Sequence, residues 1–148
     1  MFKLKNIMTL PVVTVNEDKS VYDAMTTLRR HNITGTPVID NNEMLVGIIT
    51  EKDLLRFLYA AETKEPKVRD FMTKDVISFD IEDSMIDVTD CFIENQIRRV
   101  PIIEKNKVVG IISKKDIIDY ILKMREVGEI ELALQSIHST ENGHLSGQ

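Results

Sequence analysis

Apolar residues along the chain fall into short bursts whose spacing changes in a fixed order. Val12 to Val15 is a short β-branched run that predicts a strand. Ser20 suits a helix N-cap, and after it Val21, Ala24, Met25 and Leu28 recur at helical spacing on one face. Gly35 and the polar turn at Asn41 and Asn42 bracket two further runs, Thr36 to Ile39 and Leu45 to Ile49, which predict a hairpin. Thr50 then caps a second helix carrying Leu54, Leu55, Phe57 and Leu58. The predicted order is strand, helix, strand, strand, helix, and Val76 to Leu122 repeats it.

The repetition extends to individual residues. Met8-Thr9 recurs as Met72-Thr73, Ser20-Val21-Tyr22-Asp23 as Ser84-Met85-Ile86-Asp87, and Pro37-Val38-Ile39-Asp40 as Pro101-Ile102-Ile103-Glu104, at a constant offset of 64. Beyond the hairpin turn the offset is 63: Gly47-Ile48-Ile49-Thr50 matches Gly110-Ile111-Ile112-Ser113, and Lys52-Asp53 matches Lys115-Asp116. A length change inside a polar turn leaves the flanking strands in register. The reading divides the chain into a first unit at 1–61, a linker at 62–69 that is polar and exposed, a second unit at 70–124, and a helical extension with a flexible acidic tail at 125–148. A unit of about 60 residues is marginal alone, so the two are expected to pack as one pseudo-twofold α+β domain. Val38, Ile39, Ile48, Ile102, Ile103 and Ile111 are the residues suited to the interface.

Composition narrows the class. With 43% hydrophobic and 29% charged residues in 148, neither a disordered chain nor a disulfide-dense scaffold fits. The single cysteine, Cys91, has apolar neighbours and reads as buried. The net charge is -5, but Glu126, Glu129, Glu131 and Glu141 lie in a tail without Lys or Arg, leaving 20 acids against 19 bases before it. A uniformly basic nucleic-acid surface is excluded, while a local basic patch is not. No apolar run reaches the roughly 18 residues of a membrane span and no signal peptide is evident, so a cytoplasmic protein is expected. The tail from Glu126 to Ile137 carries Val127, Ile130, Leu134 and Ile137 at roughly helical spacing, and Ser139 to Gln148 reads as disordered.

Ser20, Thr50, Ser84 and Ser113 each precede an aspartate by three residues, as in a helix capping box. Thr50 and Ser113 differ from the others because each ends a glycine-plus-two-isoleucine strand. A strand feeding straight into a helix start presents free amides where an anion or polar ligand can sit. Asp53 and Asp116 could then accept from vicinal hydroxyls, or could serve the cap alone. Before the hairpin proline, repeat two has Arg98-Arg99 where repeat one has Thr34-Gly35. Arginine forks match phosphate oxygens bidentately, and a solvated surface pair is the plainer alternative. Lys52, Lys114 and Lys115 stand in first helical turns, where cations oppose the dipole. No metal-ligand spacing, nucleophile elbow, P-loop or dinucleotide glycine pattern occurs, so neither a metal site nor catalysis is expected.

In order, spacing and duplication, these motifs resemble a tandem pair of cystathionine β-synthase (CBS) domains over residues 5 to 124. The resemblance implies two βαββα repeats forming a regulatory Bateman module that stands alone, with no obligatory cofactor. Its two clefts would hold adenosyl ligands: AMP, ADP, ATP or S-adenosylmethionine. One cleft would combine Met8, Val13, Ile33 and Thr34 with Ser113, Lys115 and Asp116, served by Arg98 and Arg99. The other would combine Met72, Ile77 and Ile97 with Thr50, Lys52 and Asp53. The two methionines could equally be core filler. The resemblance further implies a homodimer that controls an unidentified protein in trans. A ligand-independent interaction or dimerisation module is the alternative. Nucleic-acid binding ranks below both, since no aromatic platform accompanies the basic residues.

Overall fold

The computed structural model describes residues 2–60 and 65–146, with side chains through residue 139. Each repeat forms a three-stranded sheet. In the first, β1 (Val15–Asn16) lies parallel to β2 (Gly35–Ile39), and β2 pairs antiparallel with β3 (Leu45–Thr50). Helix α1 (Val21–Arg30) makes the crossover, and α2 (Glu51–Leu55) follows β3 directly. After α3 (Val68–Phe71), the second repeat gives β4 (Phe79–Asp80), α4 (Met85–Glu94), β5 (Arg99–Glu104), β6 (Lys107–Ser113) and α5 (Lys114–Glu126) in the same arrangement. The first strand of each repeat is two residues long, shorter than the β-branched run Val12 to Val15 predicts.

The hairpin turns explain the change of offset. Lys105 and Asn106 both have positive φ between the paired Glu104 and Lys107, a two-residue turn of the type whose twist matches the strands. The first hairpin needs one residue more. Its Asp40 carboxylate accepts from the Asn42 and Met44 amides, and Glu43 takes the left-handed conformation.

Packing between the repeats differs from the expectation in an informative way. Val38 and Ile102 are fully buried within the separate cores of repeats one and two, not at an interface. Strand alternation turns their neighbours Pro37 and Pro101 to the opposite face, where both are also fully buried. The opening segments are exchanged. Leu4 and Ile7 lie in the core of repeat two with Met85, Val88 and Ile112, while Val68 lies in the core of repeat one with Val21, Val38 and Ile49. Backbone bonds hold the exchange: Thr9 donates to Ile111 at 2.9 Å, and Ile48 and Thr73 exchange a reciprocal pair at 2.9 Å. Within the expected linker, Glu65, Lys67 and Arg69 are exposed, but Pro66 and Val68 are buried because this stretch runs beside residues 17–21.

The C-terminal stretch is not a continuous extension of α5. Gly128, with φ +75°, ends that helix, a conformation glycine adopts without penalty, and α6 (Ile130–Ser146) starts anew. Ile130 and Ala133 of α6 are buried. The backbone remains helical from Ser139 to Ser146, where disorder is expected from sequence; Gly147 and Gln148 lie outside the described residues.

Candidate functional site

Two clefts open where β3 and β6 run into their helices. Thr50 and Ser113 each accept a hydrogen bond from the amide three residues on, and Asp53 and Asp116 accept from the Thr50 and Ser113 amides in return. The hydroxyl caps at all four predicted starts, Ser20, Thr50, Ser84 and Ser113, but of these only Thr50 and Ser113 have the reciprocal carboxylate bond of a capping box.

One cleft, of about 530 Å³, brings Val13, Ile33 and Thr34 of repeat one against Ser113, Lys115 and Asp116 of repeat two. Thr9, Pro11, Ile111 and Lys114 add to its wall. The other, of about 520 Å³, joins Thr50 and Lys52 to Ile77 and Ile97, with Glu51, Asp75 and Ile48 added. Both volumes suit a small organic ligand. Arg98, Arg99 and Thr34 line both clefts, so the arginines are shared rather than confined to the Asp116 side.

Three predicted contact residues do not line the cavities. Met8 and Met72 pack beneath Gly110 and Gly47, where an added Cβ would collide with the methionine side chains. Both are partly buried and pack against the repeat cores. Asp53 is 4% exposed and already engaged. One carboxylate oxygen accepts from the Thr50 amide and hydroxyl, both at 3.0 Å, and the other lies 3.5 Å from the Arg56 guanidinium. Asp116 is only half-buried and lines its cleft, with Oδ1 accepting from the Thr9 hydroxyl at 3.0 Å. The difference originates three residues on, where Arg56 in repeat one faces back to Asp53 and its counterpart Asp119 instead holds Lys115 at 2.9 Å.

Arg99 sits between the clefts because its counterpart is Gly35. A Cβ at Gly35 would collide with Arg99 Nη1, and the guanidinium donates through Nη2 to the Thr34 hydroxyl. Burial, and then the adjacent Arg98 charge, push the Arg99 pKa down, while Glu51 pulls it up. Among the described residues neither Arg98 nor Arg99 has a carboxylate in ion-pair contact, nor do Lys52 and Lys114. A half-buried guanidinium without a counter-ion favours an incoming anion. Cys91 lies apart, buried in the second core, where desolvation pushes its thiol pKa up.

Fold and clefts together define a two-repeat module whose polar groups converge between the copies rather than within either one. The chain belongs to the CBS domain family, whose profile matches residues 4–60 and again 68–123. Similar proteins include inosine-5'-monophosphate dehydrogenase of Methanocaldococcus jannaschii, 36% identical over 78% of this chain and 23% of that enzyme. The chain spans between 23% and 41% of the lengths of three such curated relatives. Among solved structures, CBSX2 of Arabidopsis thaliana in complex with AMP is similar with a TM-score of 0.75 and 26% identity, over 84% of this chain and 99% of that one. The CBS domain pair of protein MJ0100, in complex with 5'-methylthioadenosine and S-adenosyl-L-methionine, is similar with a TM-score of 0.70 and 30% identity, over 81% and 95%. Both of these CBS structures are complexes with adenosyl compounds. Among the described residues no helix is long and apolar enough to cross a membrane.

Proposed function

We propose that the chain binds an adenosyl compound (AMP, ADP, ATP or S-adenosylmethionine) between its repeats and thereby changes the behaviour of a separate protein. The observation that carries this reading is the pair Arg98 and Arg99, without an ion-pair partner among the described residues, lining the same ligand-sized cleft as the capping carboxylate of Asp116. Asp116 accepts hydroxyl donors as a ribose would supply them, and the apolar walls of Val13, Ile33 and Ile111 suit a purine. The bound compounds of CBSX2 and MJ0100 support the same ligand class. A ligand regulates only by binding two states unequally, and such coupling usually amounts to about 1–3 kcal/mol.

The test is a thermal-shift panel of AMP, ADP, ATP, S-adenosylmethionine and NAD on ligand-stripped protein. A ligand at a hundred times its Kd adds about 2.7 kcal/mol to stability. At least one adenosyl compound is expected to raise the Tm in a saturable way, and a flat panel removes the reading.

The expected homodimer has a surface to match. Leu55, Leu58 and Tyr59 after β3 are exposed by 58%, 65% and 91%, and their counterparts Ile118, Ile121 and Leu122 after β6 are exposed too. An apolar set repeated by the internal symmetry suits a self-complementary interface. In sedimentation the chain is expected to run as a dimer and the Leu58→Glu/Ile121→Glu variant as a monomer; a monomeric parent chain overturns this assignment.

A ligand-independent interaction module is favoured by one observation, the exposed Leu132 and Leu134 on α6. Replacing both by lysine leaves ligand affinity intact under the first reading and abolishes partner binding under the second.

A further inference from the structure

The two clefts share Arg98, Arg99 and Thr34, yet the groups they do not share differ in sign. Repeat one places Glu51 where repeat two has Lys114, and the opening segments place Asp75 where the other cleft has Pro11. The Asp116 cleft therefore sets four basic side chains, Arg98, Arg99, Lys114 and Lys115, against one lining carboxylate. The Thr50 cleft sets three, Arg98, Arg99 and Lys52, against two, Glu51 and Asp75.

The remaining geometry points the same way. Asp116 contributes to its own cap and to the Thr9 hydroxyl, and Lys115 is held by Asp119 at 2.9 Å, so Arg98, Arg99 and Lys114 are the cations left for a ligand. In the Thr50 cleft Glu51 acts directly on the shared Arg99, pulling its pKa up while burial and Arg98 push it down. Glu51 and Asp75 are both exposed, and neither has a cation in ion-pair contact among the described residues. A polyphosphate entering there meets two carboxylates, whereas an amine or sulfonium group meets two partners.

We propose that the clefts divide adenosyl ligands by tail charge. The Asp116 cleft takes nucleoside phosphates; the Thr50 cleft takes an adenosyl compound whose tail is neutral or cationic, with Glu51 and Asp75 as the discriminating groups. This rests on the adenosyl-binding reading and adds to it a reason for two unequal sites.

Isoleucines report on each cleft separately. Ile33 and Ile111 line the first, and Ile48, Ile77 and Ile97 line the second. With isoleucine methyl groups labelled for NMR, the full chain is titrated with ATP and, separately, with S-adenosylmethionine. ATP is expected to move Ile33 and Ile111 at concentrations at least tenfold below those that move the other three, and S-adenosylmethionine to reverse that order. In the Glu51→Gln/Asp75→Asn variant, two exposed changes that remove no buried contact, ATP is expected to reach the second set roughly tenfold sooner. Equal response of both sets to both ligands, or a variant indistinguishable from the parent chain, overturns the division while leaving adenosyl binding in place. No response to either ligand overturns both.

Discussion

Asp116→Ala is expected to weaken ATP binding by roughly ten- to a hundredfold, whereas Asp53→Ala changes it by less than about threefold. Hydrogen bonds to a charged group contribute about 1.5–3 kcal/mol each, and tenfold in affinity corresponds to about 1.4 kcal/mol. Only Asp116 has that contribution to give. It lines its cleft, and its Oδ1 is held by a single neutral hydroxyl, Thr9, which can yield to a ligand. Asp53 is buried, with both oxygens engaged by Thr50 and Arg56. Each substitution removes the carboxylate half of a capping box, and Asp53→Ala also removes the Arg56 contact, so both lower stability, by about 1 kcal/mol or more. Calorimetric affinities measured beside thermal melts separate the two effects. Equal losses of affinity, or none, would show that the difference in carboxylate environment is irrelevant to binding.

Leu4→Ala is expected to destabilise the whole chain by about 2–5 kcal/mol, the range for truncating a large buried aliphatic side chain. Leu4 is fully buried. Its neighbours in the core are Val88, Ile102 and Ile112 of the second repeat. Because Val68 makes the converse connection into repeat one, neither repeat has a complete core of its own. Urea unfolding is therefore expected to be a single transition that moves as a unit. Leu10→Ala, at a side chain 59% exposed, serves as the control and is expected to stay within about 0.5 kcal/mol. A Leu4→Ala chain as stable as the control, or two separate transitions, would contradict the exchanged packing.

That exchange shows where sequence reasoning stops. The strand, helix, hairpin and helix order is legible because each element carries its own period and its own cap, and duplication reads each signal twice. Which copy a connecting segment packs against has no periodic signature: Leu4 and Val68 occupy equivalent positions in either arrangement. The faces of β2 and β5 are hidden for a related reason. Pro37-Val38-Ile39 and Pro101-Ile102-Ile103 are apolar without alternation, so nothing in them says that Val38 and Ile102 turn to the helices and the prolines away.

The candidate site was legible in its main groups, since Thr34, Ser113, Asp116, Arg98 and Arg99 do converge. Its asymmetry was also written in the sequence, at positions the repeat alignment pairs: Arg56 against Asp119, Glu51 against Lys114, Asp75 against Pro11 and Gly35 against Arg99. Those pairs become meaningful only once the fold brings them to the cleft walls. Gly35 is the clearest case, because the side chain it lacks leaves room for the guanidinium of its counterpart, Arg99. Met8 and Met72, by contrast, pack beneath a glycine each, where their long side chains fill the space a Cβ would take.

The central claim is that the space between the repeats is a binding site for an adenosyl compound. Calorimetric titration of the ligand-stripped chain with ATP tests it most directly, with adenosine and inorganic triphosphate as separate controls. The account predicts saturable ATP binding that is stronger than that of either part, because Asp116 and the shared arginines act on different ends of one ligand. Absence of saturable binding by ATP and, in the same titration, by AMP and S-adenosylmethionine, or triphosphate binding as tightly as ATP, would contradict it.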